Sequence, residues 1–275
     1  MCEPTSLDRE RVAQRFAALR GSLRTERRRT AAERRAFETF ADRVATVDFA
    51  DAGSGSPLGS GVEASHGGTV VSNGHAGSKR DAPPIASIRR AYEETVMAVS
   101  FYDDEYGDDY RESLAAEFVP AVATALTDPT CFGPAAKAPL TAAIDRAIRE
   151  REHLIETCAH ERESVDAAAG TLLPVAAELD SIGSPDSESD SFGSLEADWN
   201  RLSRLEKRCE SAAADRQSAI NEWRSRHDLP VDAPDVCAYF YEAQDSAYPV
   251  LAACAELTQR ATTLQTAYER AMAEY

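Results

Sequence analysis

The sequence has 275 residues, of which 43% are hydrophobic, and its 47 acidic and 30 basic side chains give a formal net charge of −17. This length suits one large domain or two small ones, with enough apolar residues to bury a core. No run of about 18 apolar residues occurs, which excludes a transmembrane helix, and the N-terminal residues lack a charged-then-apolar signal layout, which predicts a cytoplasmic protein.

Arginine greatly outnumbers lysine among the basic residues, since lysine occurs only at positions 79, 137 and 207. Few lysines, many carboxylates and abundant alanine are typical of halophilic proteins. Concentrated salt screens long-range repulsion, and an acidic surface then keeps a protein hydrated and soluble. The charge therefore indicates adaptation to salt more than a basic partner.

The first predicted element is a heptad helix over residues 1–50. Apolar side chains recur there at alternating spacings of four and three residues over about five heptads. Glu26, Thr30 and Glu33 interrupt this stripe in its middle. We leave open whether the stripe packs within the chain or on a second copy, and favour the former because three later stripes are available. The stripe comprises Val12, Phe16, Leu19, Leu23, Phe37, Phe40, Val44 and Val47.

Residues 51–84 differ sharply in composition. Eight of the fourteen glycines of the chain fall here, with many serines and almost no large apolar residue. Such a segment cannot offset the entropy lost on ordering, so it is predicted to be a flexible, disordered linker.

Residues 85–275 are predicted to form a helical bundle. Segments 85–135 and 229–250 carry most of the aromatic residues and suggest a compact head, while 137–182, 194–227 and 248–275 read as stalk helices. Pro174 should kink or restart its helix. No convincing strand-like alternation occurs, so we expect an all-α fold in which long antiparallel helices form a coiled-coil-like hairpin or bundle.

The acid-rich stretch "FYDDEYGDDYRESLAAEF", residues 101–118, resembles a site at first sight. A calcium loop needs acids at its first, third and fifth positions, but counting back from Gly107 gives Tyr102, Asp104 and Tyr106. A catalytic carboxylate pair needs a shielded pocket, which adjacent exposed acids do not suggest. We predict solvated acids, a bend or helix boundary at Gly107, and a buried face formed by Tyr102, Tyr106, Tyr110, Leu114 and Phe118.

The cysteines and histidines suggest no metal site. No C-x-x-C pair occurs among the six cysteines, and the spacing of His153, Cys158 and His160 does not place all three on one helical face. Phosphate-loop, nucleophile-elbow and zinc-protease motifs are also missing. We therefore predict no catalytic residues, no metal ligands and no cofactor, and expect the protein not to be an enzyme.

One basic cluster, "RTERRRTAAERR", lies at residues 24–35. Residues 1–47 hold eleven arginines and seven acids, a local charge of +4. A polyanion could bind here, but Glu26 and Glu33 lie among the arginines and no aromatic residue is present for base stacking. Pairing with an acidic face of this chain or with a partner helix is favoured over nucleic acid. The predicted partner-binding residues are Arg24, Arg27, Arg28, Arg29, Arg34 and Arg35.

The segments "ERRAFETFADRVA", "IRRAYEETVMAVSFYDDEYGDDYRESLAAEF" and "YPVLAACAELTQR" resemble a family of uncharacterised haloarchaeal helical proteins, a domain of unknown function. The middle segment is the most specific, and the similarity extends over most of the chain outside the linker. The resemblance implies a halophilic helical protein and transfers no catalytic residues.

The expected function is that of a non-catalytic helical interaction or scaffold protein of a halophilic cytoplasm. Its heptad helices would bind a protein partner or a second copy of the chain. The alternative is a nucleic-acid-associated regulator that uses the arginine-rich arm.

Overall fold

A computed structural model describes residues 7–49, 83–186, 190–226 and 236–275. Residues 51–82 of the predicted linker and residues 229–235 of the predicted head lie outside these ranges. Within them the chain is all-α and has no strand, with long helices packed antiparallel, which confirms the predicted fold class. The helices are α1 (Leu7–Ala45), α2 (Pro84–Glu93), α3 (Tyr102–Glu105), α4 (Tyr110–Glu117), α5 (Pro120–Thr127), α6 (Lys137–Ile182), α7 (Phe192–Arg226), α8 (Val236–Phe240) and α9 (Pro249–Ala273).

The apolar stripe of α1 is its buried face. Phe16, Leu19, Phe37 and Phe40 are fully buried. Thr30, in the polar middle of the stripe, is also buried. A helix of this length would expose its apolar face if it stood alone, so its stability depends on the helices that cover that face.

The chain divides into two compact units, which comprise residues 1–28 with 155–275 (unit 1) and residues 29–154 (unit 2). Both α1 and α6 contribute residues to each unit. The two aromatic segments that we expected to form one head fall in different units, 85–135 in unit 2 and 236–250 in unit 1. The predicted domain boundaries near residues 50 and 85 stay a prediction.

In unit 1 the long helices close into a bundle, because each contacts two neighbours. The order around the bundle is α1, α6, α7, α9 and back to α1. The linking pairs are Arg20–Asp166 at 2.6 Å, Arg216–Glu161 at 2.6 Å, Thr262–Glu206 at 3.2 Å and Arg15–Glu256 at 2.7 Å.

Unit 2 is built around the ring of Tyr92 on α2. The ring centroids of Phe40, Tyr110 and Phe118 lie 5.2, 5.8 and 6.1 Å from it. The Tyr92 hydroxyl lies 2.8 Å from the hydroxyl of Ser113, so its polar group is satisfied inside the core. Aromatic side chains packed in this way contribute a large share of the apolar area that a small core buries.

The acid-rich stretch forms two short helices, α3 and α4. The chain turns at Gly107, whose φ of +62° favours glycine, as predicted. Tyr106, expected on the buried face, is instead 50% exposed. The acids do more than face solvent, because Asp109 accepts hydrogen bonds from the first turn of α4 and Glu112 accepts one from the Asp109 backbone. This reciprocal capping fixes the start of α4.

Proline has different effects at two positions. Two separate helices meet at Pro120, since Phe118 is extended, Val119 is non-helical with a ψ of 149°, and Pro120 opens α5. The residue before a proline is pushed out of the helical region, which explains this break. Pro174, by contrast, lies inside α6, which continues to Ile182, so the expected restart does not occur there.

Candidate functional site

Three of the six predicted arginines line one groove of unit 1, between α1 and α6. Arg24, Arg27 and Arg28 lie on α1 at the i, i+3, i+4 spacing that places side chains on one helical face, and Arg162 lies on α6. The groove has a volume of about 790 Å³. We call this surface, bounded by these four residues, the arginine groove.

Two carboxylates also line the arginine groove, Glu163 and Asp166. Four arginines and two acids give the lining a formal charge of +2 on a protein of −17. Asp166 is already engaged, because Arg20 donates to it at 2.6 Å and Arg162 lies 3.6 Å away. Within the described ranges, Arg24, Arg27 and Arg28 form no hydrogen bond or ion pair, so their guanidinium groups remain available.

The part of the lining that we call the floor consists of small or apolar residues. It contains Gly21, Leu23, Cys158 and Ala159. A Cβ atom added at Gly21 would meet no heavy atom within 4 Å, so the floor is open at this point. Burial raises the pKa of the Cys158 thiol to about 12, with a smaller contribution from Glu26. The thiol therefore stays protonated near neutral pH and is a poor nucleophile.

The other three predicted arginines belong to unit 2 and have different surroundings. Arg29 forms an ion pair with Glu105 and lies over the Phe101 ring, 5.9 Å from its centroid. Arg34 pairs with Glu38 one turn along α1 at 3.3 Å, and Arg35 is exposed. Arg29 and Arg34 are thus occupied within the chain, while the pairing that we favoured for the cluster as a whole stays a prediction.

An exposed aromatic residue of α8 reaches the arginine-rich part of α1. The Tyr239 hydroxyl donates to Glu26 at 2.7 Å, while the side chain stays 55% exposed. Sequence analysis found no aromatic residue between positions 24 and 35, because this one is contributed by a distant segment.

Unit 1 also contains a buried ionic network centred on Arg216 and Glu161, whose side chains are 3% and 5% exposed. Arg216 donates to both carboxylate oxygens of Glu161, at 2.9 and 2.6 Å, and the Tyr241 hydroxyl donates to Oε1 at 2.6 Å. Arg216 further donates to Ser164 Oγ and Cys237 Sγ, each at 2.8 Å. Burial raises the pKa of Tyr241, as does the neighbouring carboxylate.

A second network lies in unit 2, around Arg151. Its guanidinium donates to Glu117 at 2.5 and 2.8 Å and to Glu33 at 3.2 Å, and it lies over the Phe37 ring at 4.6 Å. The Tyr106 hydroxyl donates to the other oxygen of Glu33 at 2.7 Å. Burial lowers the pKa of Arg151, but its bonds to Glu117 outweigh that effect and raise it overall. Both networks satisfy buried charge and hold helices in place.

Neither a cluster of metal ligands nor a membrane span occurs in the described residues. There, no three or more His, Cys, Asp or Glu side chains come together in a way that could hold a metal ion. In the same residues, no helix combines the length and apolar character that a membrane span requires.

Sequence reasoning missed the α6 side of the groove. Cys158, Arg162 and Asp166 are spaced four residues apart, and they therefore share one face of α6. The spacing alone is enough to predict that these three side chains share a face of the helix. It could not have identified α1 as the helix opposite, because periodicity carries no information about pairing.

Comparison with known proteins yields one match. No curated protein and no solved structure is significantly similar to the chain. A family model described as "Domain of unknown function (DUF7260)" matches residues 14–265, which is most of the sequence and includes the arginine groove and both ionic networks. The chain therefore belongs to the DUF7260 family of domains of unknown function.

Proposed function

We propose that this protein is a non-catalytic helical interaction or scaffold protein, which binds an anionic partner in the arginine groove. The observation that carries the proposal is the set of three unengaged arginines, Arg24, Arg27 and Arg28, on one face of α1 in a protein of net charge −17. If these arginines served only to keep the surface soluble, we would expect them to form ion pairs with neighbouring acids, as Arg20 does with Asp166.

The chemistry of the lining suits binding more than bond-making. A guanidinium group stays protonated at any physiological pH and cannot serve as a base. Cys158 is held as a thiol, and Asp166 is neutralised by two arginines. The guanidinium groups of the groove can recognise carboxylates or phosphates through paired hydrogen bonds, which is the usual role of arginine at interfaces.

The proposed setting is the salt-rich cytoplasm of a halophile. The acidic composition and the scarcity of lysine support it, as does the resemblance to haloarchaeal proteins. In about 1 M salt the Debye length falls to about 3 Å, so a partner must be held by direct contacts rather than by long-range attraction.

A nucleic-acid-associated regulator is the second candidate, and one observation favours it. Tyr239 offers an exposed ring beside the arginine-rich part of α1, where Glu26 holds its hydroxyl. Stacking of bases on such rings contributes to single-strand binding.

The test compares affinity captures made with three forms of the full chain. One is wild type, the second carries Arg24→Gln, Arg27→Gln and Arg28→Gln, and the control carries Arg90→Gln, Arg149→Gln and Arg204→Gln. The control removes the same charge from exposed positions outside the groove. We expect an anionic macromolecule that wild type and control retain and the groove variant loses. An identical set of partners for all three forms would contradict the proposal.

A further inference from the structure

We propose that the occupant of the arginine groove is an acidic amphipathic helix of a partner protein, an inference that rests on the function proposed above. The helix would present carboxylates to the groove rims and small apolar side chains to its floor. The inference depends on three properties of the groove, namely its shape, its floor and its pattern of charge.

The shape is that of a trough between two antiparallel helices. Arg20 on α1 contacts Asp166 on α6, so the two helices lie directly side by side here. A third helix that packs into such a trough approaches its neighbours to about 8–10 Å, provided that the side chains beneath it are short. The volume of about 790 Å³ leaves room for one face of such a helix.

The floor meets this requirement through Gly21, Cys158 and Ala159. No atom lies within 4 Å of the position where a Gly21 side chain would begin. An extended polyanion that touched only the arginine rims would make no use of this open, apolar floor.

The charge pattern matches carboxylates on a helix. Arg24, Arg27 and Arg28 repeat at three and four residues, the same interval at which glutamates on one helical face recur. Each guanidinium can hold a carboxylate with two hydrogen bonds. Glu163 and Asp166 lie within the same lining, and a strand with a phosphate at every nucleotide would have to pass close to them. Discrete carboxylates can be spaced to avoid both acids.

The dependence of affinity on salt concentration also distinguishes an acidic helix from a nucleic acid. Nucleic acid that neutralised about three arginines would lose affinity with a log–log slope of about −2 to −3 in salt, since it releases condensed counterions. A docked helix also buries apolar surface, and this contribution is not weakened by salt.

The decisive experiment uses three labelled probes against the full chain, measured by fluorescence anisotropy. One probe is a helical peptide of about 20 residues with alanine and leucine along one face and glutamates at i, i+4 spacing along the edge of that face. The second has the same composition in scrambled order, and the third is a single-stranded oligonucleotide of about 20 bases. Binding is measured at about 0.15 M and about 1 M KCl.

Two variants test the rims and the floor separately. The Arg24→Gln, Arg27→Gln, Arg28→Gln variant removes the cations. Gly21→Leu fills the floor without a change in charge. The half-buried helical position should tolerate it, because an added Cβ meets no atom within 4 Å and leucine is the better helix former. The triple variant Arg90→Gln, Arg149→Gln, Arg204→Gln is the matched control, and the melting temperature of each variant verifies folding.

We expect the helical peptide to bind at least about 5-fold more tightly than the scrambled one. Both the rim variant and Gly21→Leu should weaken it at least about 10-fold, and the control should change it less than about 2-fold. Equal binding of both peptides, or an unchanged affinity in Gly21→Leu, would overturn the helical partner. Oligonucleotide binding that only the rim variant abolishes, without peptide binding, would also overturn it while leaving the proposed function standing. Insensitivity of every probe to the rim variant would overturn both.

Discussion

Removing Arg216 while Glu161 stays in place should lower the free energy of unfolding by about 3–5 kcal/mol. The two side chains are 3% and 5% exposed, so water cannot replace the lost partner. In Arg216→Met the methionine occupies much of the same volume but donates none of the four hydrogen bonds that the guanidinium makes. Among the described residues, Tyr241 is then the one hydrogen-bond donor left to the buried Glu161 carboxylate.

Removing the whole network should cost far less. A variant with Arg216→Met, Glu161→Leu and Tyr241→Phe has neither a buried charge nor a buried hydroxyl without an acceptor. Buried ion pairs exchanged for apolar residues of similar volume are often neutral or stabilising, so we expect this variant to recover to within about 2 kcal/mol of wild type. The cost of the single variant is thus mainly the isolation of one charge.

The assay is urea unfolding followed by far-ultraviolet circular dichroism at fixed salt, with the free energy extrapolated to water. Arg204→Gln, an exposed position on the same helix, is the control and should change stability by less than about 0.5 kcal/mol. A loss of less than about 1 kcal/mol in Arg216→Met would refute the reasoning, because the pair would then behave like a surface ion pair.

Three further predictions concern the core, pH and salt. Phe37→Ala and Phe40→Ala, at fully buried sites, should each cost about 3–5 kcal/mol in the same urea assay, and neutral results would mean that this face of α1 is not held by packing. Burial raises the pKa of Cys254 from 9.0 to about 11, so its contribution to stability is complete below pH 9 and is lost as pH rises through 11. Between pH 8 and pH 11 the free energy of unfolding of wild type should therefore fall by about 2 kcal/mol more than that of Cys254→Ala. Urea unfolding of both proteins at the two pH values measures this difference, and equal losses would contradict the prediction. The charge of −17 predicts a higher melting temperature in molar KCl than at low salt, and equal temperatures would contradict it.

The buried face of each long helix could be predicted from the sequence because helical geometry alone determines it. Residues at alternating spacings of three and four share a face, and that face must be covered. Val12, Leu23 and Val44 are buried as this rule requires. The same reasoning predicted a turn at Gly107 but put Tyr106 on the wrong side, because it continued the four-residue spacing across this boundary, although α4 starts afresh from the Asp109 cap.

The partner of each polar residue could not be predicted in this way. Glu33 and Arg151 are 118 residues apart in sequence, and both appear in the sequence only as flaws in an apolar stripe. Arg162 was missed for the same reason, since its importance depends on which helix lies opposite. A single sequence predicts which face of a helix is buried, but it does not predict which other helix covers that face.

The polar interruptions supply what the apolar stripes lack, which is a unique alignment. A heptad stripe fits its neighbour almost equally well after a shift of one heptad, because the same kinds of side chain recur. In unit 1 such a shift between α6 and α7 would separate Glu161 from Arg216 and leave both charges buried without partners, at a cost of several kcal/mol. On the outer side of the same bundle, the Arg20–Asp166 pair aligns α1 with α6 and so brings Arg162 opposite Arg24, Arg27 and Arg28. The buried Arg216–Glu161 pair thus selects the alignment of α6 and α7, and the alignment of α1 with α6 creates the arginine groove.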